Sequence, residues 1–236
     1  MTGIKTNMMI FAHRGASGYV AENTLAAFAK SIELGATAVE LDIHLVEDEL
    51  YVFHDRRLEP KSSGYGLIEE FTKADLSQLK IEGEPIPTLL QVLQLLRPHN
   101  TLVNIELKGL GCLDAFIALY PTLINELKYP AEKLLISSFN HPFLATFKQQ
   151  YPESFIAPLI EGVPLDLAGI VSQLGAYSIH LGLSFTTQQM VDDAHQRGAR
   201  VYVYTVDNLE DLDMLNSMGV DGIFTNFPDK AILHLA

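Results

Sequence analysis

From Val39 to Leu45 the chain reads Val-Glu-Leu-Asp-Ile-His-Leu, an alternation with the period of a β-strand. Val39, Leu41, Ile43 and Leu45 then share one face, while Glu40, Asp42 and His44 share the other. A second run repeats the arrangement, with Val103, Ile105 and Leu107 opposite Asn104, Glu106 and Lys108. If the two strands are neighbours, Glu40, Asp42 and Glu106 converge. Three carboxylates brought together repel one another and resist leaving water unless something positive sits between them. A hard divalent cation meets that need, and an all-oxygen ligand set suits Mg²⁺ or Ca²⁺ rather than zinc. The other reading is a half-exposed strand whose acids face water, which explains one such run more readily than two.

Two further segments end apolar runs with an imidazole: Ala12-His13-Arg14-Gly15, and Val52-Phe53-His54-Asp55. Histidines at two strand ends suit an acid and base pair, because imidazole titrates near neutral pH. Arg14 and Lys108 would clamp an anionic group beside them. Lys108 at a strand end also fits a Schiff-base lysine, although three nearby carboxylates disfavour the neutral amine that such chemistry needs. His44 lies one step beyond Glu40 and Asp42 and reads as a neighbour of the cation pair or a surface residue. His180 ends another strand and either touches substrate or packs.

These residues need a scaffold that gathers strand ends. Short β-rich runs at 8–12, 38–43, 102–107, 134–137, 155–159, 178–181, 201–204 and 222–225 alternate with helical patterns at 24–33, 89–96, 113–127, 142–150, 165–174, 187–197, 209–218 and 228–233. This eightfold alternation predicts an α/β fold, a (β/α)₈ TIM barrel whose active site lies at the carboxyl ends of the strands. A doubly wound open sheet shares the alternation, but no glycine-rich dinucleotide fingerprint or phosphate-binding GxxxxGK[ST] loop follows any strand. Residues 1–236 read as one domain. The connection at about 55–88, rich in glycine and proline, is a short insertion after strand two, and loops of this length tend to be functional.

Composition narrows the function. The chain has 236 residues, 48% hydrophobic and 19% charged, which is a globular composition. Sixteen Lys and Arg against 29 Asp and Glu give a net charge of −13, so no nucleic-acid partner is expected. A basic membrane-docking face is disfavoured, and no stable membrane insertion is expected. Cys112 is the only cysteine and reads as a small packed residue, which together with the lack of a signal-like run near Met1 suggests a cytoplasmic protein. No periodicity specifies an oligomeric state.

Six motifs carry a resemblance. Ala12-His13-Arg14-Gly15, Glu22-Asn23-Thr24, Glu40-Leu41-Asp42, Val52-Phe53-His54-Asp55, Ile86-Pro87-Thr88-Leu89 and Asn104-Ile105-Glu106-Leu107-Lys108 occur in the order and spacing of the glycerophosphodiester phosphodiesterase family. Val203-Tyr204-Thr205-Val206 and the run Gly219–Asp229 are similar to its closing strands. The resemblance spans nearly the whole chain. It implies metal-dependent hydrolysis of small-molecule glycerophosphodiesters to sn-glycerol 3-phosphate and an alcohol. It makes Glu40, Asp42 and Glu106 the ligands of one divalent cation, Mg²⁺ or Ca²⁺, and places Arg14 and Lys108 at the phosphate. His13 and His54 become general base and general acid, in either assignment. The glycerol 2-hydroxyl is expected to attack phosphorus, leaving a cyclic phosphate that water opens. Glu22 and Asn23 are expected to support the site, Glu22 either bracing the histidine-arginine loop or serving the first helix's N-terminus. Phe139 and Tyr204 would form an apolar wall for substrate.

The chain departs from the family pattern in places. Val46-Glu47-Asp48-Glu49 replaces a common Thr-Lys-Asp-Gly turn, Tyr204 replaces a tryptophan, and Glu59-Pro60-Lys61-Ser62-Ser63 replaces an Arg-Thr-Thr. None touches the expected cation or acid-base residues, so the departures bear on substrate choice. A lysophospholipase D-like enzyme would need an apolar entrance, for which Leu67 and Phe71 in the insertion are too few. A phosphate-compound binding barrel without turnover is the non-enzymatic alternative, and the complete set of histidines and carboxylates argues against it.

Overall fold

The computed structural model describes residues 8–236; Met1 to Asn7, and with them most of the N-terminal segment read above, lie outside the described residues. Among the described residues, eight parallel strands close into a barrel in the order β1 (Met9–His13), β2 (Ala38–Val46), β6 (Leu102–Leu107), β7 (Leu134–Ser138), β8 (Phe155–Ile160), β9 (Ser178–Gly182), β10 (Arg200–Tyr204) and β11 (Gly222–Thr225). Closure comes from β1, which pairs with both β2 and β11. A short antiparallel strand, β3 (Glu49–Val52), folds back on β2.

The helices are α1 (Leu25–Glu33), α2 (Lys73–Leu76), α3 (Leu89–Leu96), α4 (Cys112–Asn125), α5 (His141–Gln150), α6 (Gly169–Leu174), α7 (Gln188–Gln196), α8 (Leu209–Ser217) and α9 (Pro228–Leu235). Their starts follow from local chemistry. Thr24 accepts a hydrogen bond from the N–H of Ala27 at the head of α1, and Thr88 forms a reciprocal box with Gln91 at the head of α3.

The alternation in β2 sorts its side chains as the sequence suggests. Val39, Leu41 and Ile43 are buried with Leu89, Val92 and Leu93 of α3, outside the barrel. Glu40 and Asp42 turn inward. Below them Phe11, Leu135, Ala157, Tyr202 and Phe224 pack as one buried cluster, with Phe11 and Phe224 stacked at 4.7 Å between ring centroids. The barrel is thus filled at its amino end by aromatic and aliphatic groups and becomes polar toward its carboxyl end.

The insertion builds a small core of its own. Leu58, Ile68, Leu76 and Ile81 are buried with Tyr51, Phe53 and Ile86, and a minimal hairpin of β4 (Lys80–Ile81) and β5 (Glu84–Pro85) closes it. This apolar packing fixes the connection against β3, so it is an ordered wall rather than a loose loop.

Candidate active site

Register decides which groups meet. His13 is level with Glu40 across β1 and β2, and Asp42 is level with Glu106 across β2 and β6. One oxygen from each of Glu40, Asp42 and Glu106 lies within 4.8 Å of the others, and all three residues are buried. Asp42 Oδ1 and Glu106 Oε1 accept no hydrogen bond within the protein. Lys108 Nζ is 3.0 Å from Glu106 Oε1, close enough for an ion pair but without hydrogen-bond alignment. Buried carboxylate oxygens with unused lone pairs, held together, fit a hard divalent cation.

The electrostatics are those of a site awaiting positive charge. Burial and the neighbouring Asp42 raise the carboxyl of Glu40 well above the usual range and push Glu106 up to about 7. Asp42 is also opposed by burial, but Arg14, His54, Lys108 and the amide of Asn23 together hold it below its ordinary value. Arg14 Nε lies 3.5 Å from Asp42 Oδ2, and its backbone N–H donates to Glu40 Oε2 at 2.9 Å.

Both histidines are oriented through Nδ1. His13 Nδ1 lies 2.9 Å from Asn226 Oδ1, and that amide is fixed because its Nδ2 donates to Asp207 at 2.6 Å. Nδ1 therefore carries the proton and Nε2 keeps its lone pair. Burial and the adjacent Arg14 push His13 down to about 4, so it stays neutral at working pH. His54 Nδ1 donates to Asp55 Oδ1 at 2.6 Å, and Lys108 Nζ donates to His54 Nε2 at 3.1 Å. Burial lowers the His54 pKa, against the field of Asp42.

A cavity of about 270 Å³ opens over these groups, lined by His13, Arg14, Glu40, His54, Glu106 and Lys108 on one side. Phe139, Leu159, Glu161, Tyr204 and Thr205 line the other, and Asn104, His180 and Phe224 reach it from within the barrel. The cavity is of a size for a small phosphate ester. Two inward cations beside three carboxylates and two oriented imidazoles are groups suited to phosphate chemistry.

Residues 13–230 match the model of the Glycerophosphoryl diester phosphodiesterase family. The chain belongs to the glycerophosphoryl diester phosphodiesterase family. A glycerophosphodiester phosphodiesterase of Caldanaerobacter subterraneus subsp. tengcongensis is 34% identical over 240 residues, covering 95% of this chain and 96% of the relative. One of Bacillus altitudinis is 32% identical, covering 94% and 96%. Among solved structures, an Oleispira antarctica phosphodiesterase in complex with the product sn-glycerol-3-phosphate superposes with a TM-score of 0.89 at 29% identity, covering 96% of each chain. By family the chain is a phosphoric diester hydrolase, and its barrel is the TIM barrel the alternation predicts.

Within this family fold, the residues singled out from sequence come together. Asn23 donates to Asp42 Oδ2 at 2.9 Å, orienting one carboxylate of the triad. Glu22 accepts from Arg14 Nη1 at 2.9 Å, so it braces the histidine-arginine loop, and the N-cap of α1 is Thr24. Phe139 and Tyr204 meet edge to face at 6.2 Å across the cavity rim. His44 is buried, with Nε2 3.2 Å from the carbonyl of His54, so it is not a surface residue. His180 packs between Tyr202 and Phe224 and shares a hydrogen bond with Ser178. Lys108 keeps a raised pKa: burial opposes its charge, but Glu106 and Asp42 outweigh burial, which leaves no neutral amine for a Schiff base. Sequence reasoning missed Asn226, Asp207 and Glu161. Asn226 stands in the matching run Gly219–Asp229, but a partner 213 residues from His13 leaves no local signal.

Proposed function

We propose that this chain, acting as one catalytic domain over residues 1–236 with 55–88 as its insertion, hydrolyses glycerophosphodiesters to sn-glycerol 3-phosphate and an alcohol. The observation that carries the reading is the buried triad Glu40, Asp42 and Glu106, two of whose members, Glu40 and Glu106, line one small cavity together with His13 and His54. A divalent cation held by the triad, Mg²⁺ or Ca²⁺, would supply charge stabilisation at a phosphate oxygen. Arg14 and Lys108 bind the remaining anionic oxygens.

The histidine environments divide the proton work. His13, neutral and with Nε2 free of hydrogen-bond partners, takes the proton of the glycerol 2-hydroxyl as that oxygen attacks phosphorus. The bond from phosphorus to the head-group oxygen breaks, and His54 protonates the leaving alcohol. Asp55 on His54 Nδ1 stabilises the imidazolium that this role requires, whereas the neutral amide of Asn226 gives His13 no such help. Water then opens the cyclic phosphate with the roles reversed. Phe139 and Tyr204 supply an apolar wall for the substrate, and Glu22 and Asn23 hold Arg14 and Asp42 in place.

Phosphorus NMR of glycerophosphocholine incubated with the protein and Mg²⁺ tests the reaction. The diester resonance should give way to that of glycerol 3-phosphate. An unchanged diester, or phosphocholine as product, would contradict the reading.

A lipid-active second reading has one observation in its favour. Leu110, Phe139, Val163, Leu165 and Phe185 are exposed in the loops that follow β6, β7, β8 and β9, beside the mouth. We favour a water-soluble substrate, because none of these is a continuous apolar helix and the chain carries a charge of −13. Faster turnover of lysophosphatidylcholine than of glycerophosphocholine would reverse that preference. No helix among the described residues is long and apolar enough to cross a membrane. A single cysteine, Cys112, leaves no intramolecular disulfide to form, which fits the cytoplasmic setting we propose.

A further inference from the structure

Lys61 lies in the insertion, in the stretch Glu59–Ser63 where the chain departs from the family pattern. Its ammonium reaches carboxylates from two separate parts of the site. It donates to Glu22 Oε1, the same oxygen that accepts from Arg14 Nη1 at 2.9 Å. It also lies 3.8 Å from Asp55 Oδ2, while Oδ1 of that carboxylate holds His54 Nδ1 at 2.6 Å. One cation thus stands between the brace of the phosphate-binding arginine and the brace of the acid histidine.

The placement is built rather than incidental. Leu58 and Ile68 of the insertion are fully buried, the Ser62 N–H donates to the Leu58 carbonyl at 2.8 Å, and the Ser63 N–H donates to the Lys80 carbonyl at 2.8 Å. The backbone on either side of Lys61 is therefore pinned. Its side chain is 32% exposed, against 24% for Glu22 and 32% for Asp55, so the three groups are partly shielded from water and ions. Lys61 borders a polar depression with Ser17, Tyr19 and Glu82 and is not among the residues that line the catalytic cavity.

Removing the ammonium would leave Glu22 and Asp55 without a shared counter-ion. Each would then repel the other and shift on its remaining partner, Arg14 or His54. We infer that Lys61 is a positioning residue that sets Arg14 and His54 relative to one another through Glu22 and Asp55. The insertion is by this inference part of the catalytic apparatus and not only a wall. The kinetic part of the inference rests on the hydrolase reading.

The test is a set of variants read by turnover, product affinity and melting temperature. Lys61→Met should lower kcat/KM for glycerophosphocholine by about tenfold, within the range expected when a group far from the chemistry is misplaced. It should weaken calorimetric binding of sn-glycerol 3-phosphate by about fivefold and leave the melting temperature within about two degrees. Lys61→Arg, which keeps the charge, should recover most of both losses. In a Glu22→Gln and Asp55→Asn background, Lys61→Met should cost less than about twofold, because the residues it acts through are already neutral. Should Lys61→Met fail to fold, Lys61→Gln takes its place. Wild-type kinetics and affinity in the folded Met or Gln variant would overturn the inference, and so would an undiminished loss in the double background. If the wild-type protein binds sn-glycerol 3-phosphate but turns over no diester, the hydrolase reading fails while the affinity series still decides the role of Lys61.

Discussion

At the residue scale the site pairs each reactive group with a partner that fixes its proton or its angle. Arg14 and Asn23 show what this requires, because both have φ near 57° in the left-handed region, a cost on the order of 1 kcal/mol each. The Arg14 N–H bond to Glu40 and the Asn23 N–H bond to the Arg14 carbonyl hold them there. If the imidazoles move protons as proposed, replacing His13 or His54 with Ala should cut kcat by about 10² to 10⁴ and leave the melting temperature nearly unchanged, since neither ring belongs to the apolar core. Stopped assays and thermal melts on the two variants check this, and wild-type turnover in either would remove that histidine from the mechanism. Asn226→Ala frees the His13 ring and should lower kcat more than it raises KM, by about tenfold in kcat. An unchanged kcat would show that Asn226 does not set the tautomer.

At the element scale the close approach of the first loop to α1 positions Arg14. Gly15 has φ +80°, and a Cβ there would fall 2.7 Å from the backbone carbon of Ala27. Gly15→Ala should therefore destabilise the protein by more than about 1 kcal/mol and lower activity, both read from denaturant melts and rates. A neutral outcome would mean that the loop and α1 can separate at no cost. Much of the architecture was legible from periodicity: Leu102–Leu107, Gly222–Thr225 and Leu89–Leu96 match the runs read from sequence. The failure at α6 has a physical cause. A helix expected from Leu165 begins only at Gly169, because Leu165 is fully exposed and Leu167 takes a left-handed φ of 51°, so the apolar residues there follow no buried face. The triad was legible because strand alternation places it. Asn226 and Asp207 were not, since only barrel closure brings the last strands to the first.

At the scale of the whole molecule, the barrel interior holds imidazoles that cannot easily charge. Burial pushes His180 down to about 3 and, with Arg14, pushes His13 down to about 4, against an ordinary value of 6.5. The unfolded chain takes up these protons below pH 6.5 and the folded chain does not. Stability from this source is therefore fully present above pH 6.5 and is lost as pH falls toward about 3. The raised carboxyls of Glu40 and Glu106 act in the opposite sense over the same range, so the histidine contribution is read by difference: lowering the pH from 7.5 to 5 should change the urea midpoint less favourably in the wild type than in His180→Gln. An equal pH dependence in that variant would assign the acid sensitivity elsewhere.

The proposed reaction depends on the triad holding a cation beside two histidines that transfer protons. The most direct test is release of sn-glycerol 3-phosphate from glycerophosphocholine by chelator-stripped protein, with and without added Mg²⁺ or Ca²⁺. The expected result is negligible release from the stripped protein, restored by at least one of the two ions and not restored in Asp42→Asn. Undiminished release after stripping, or no release with either ion from a folded protein, would contradict it.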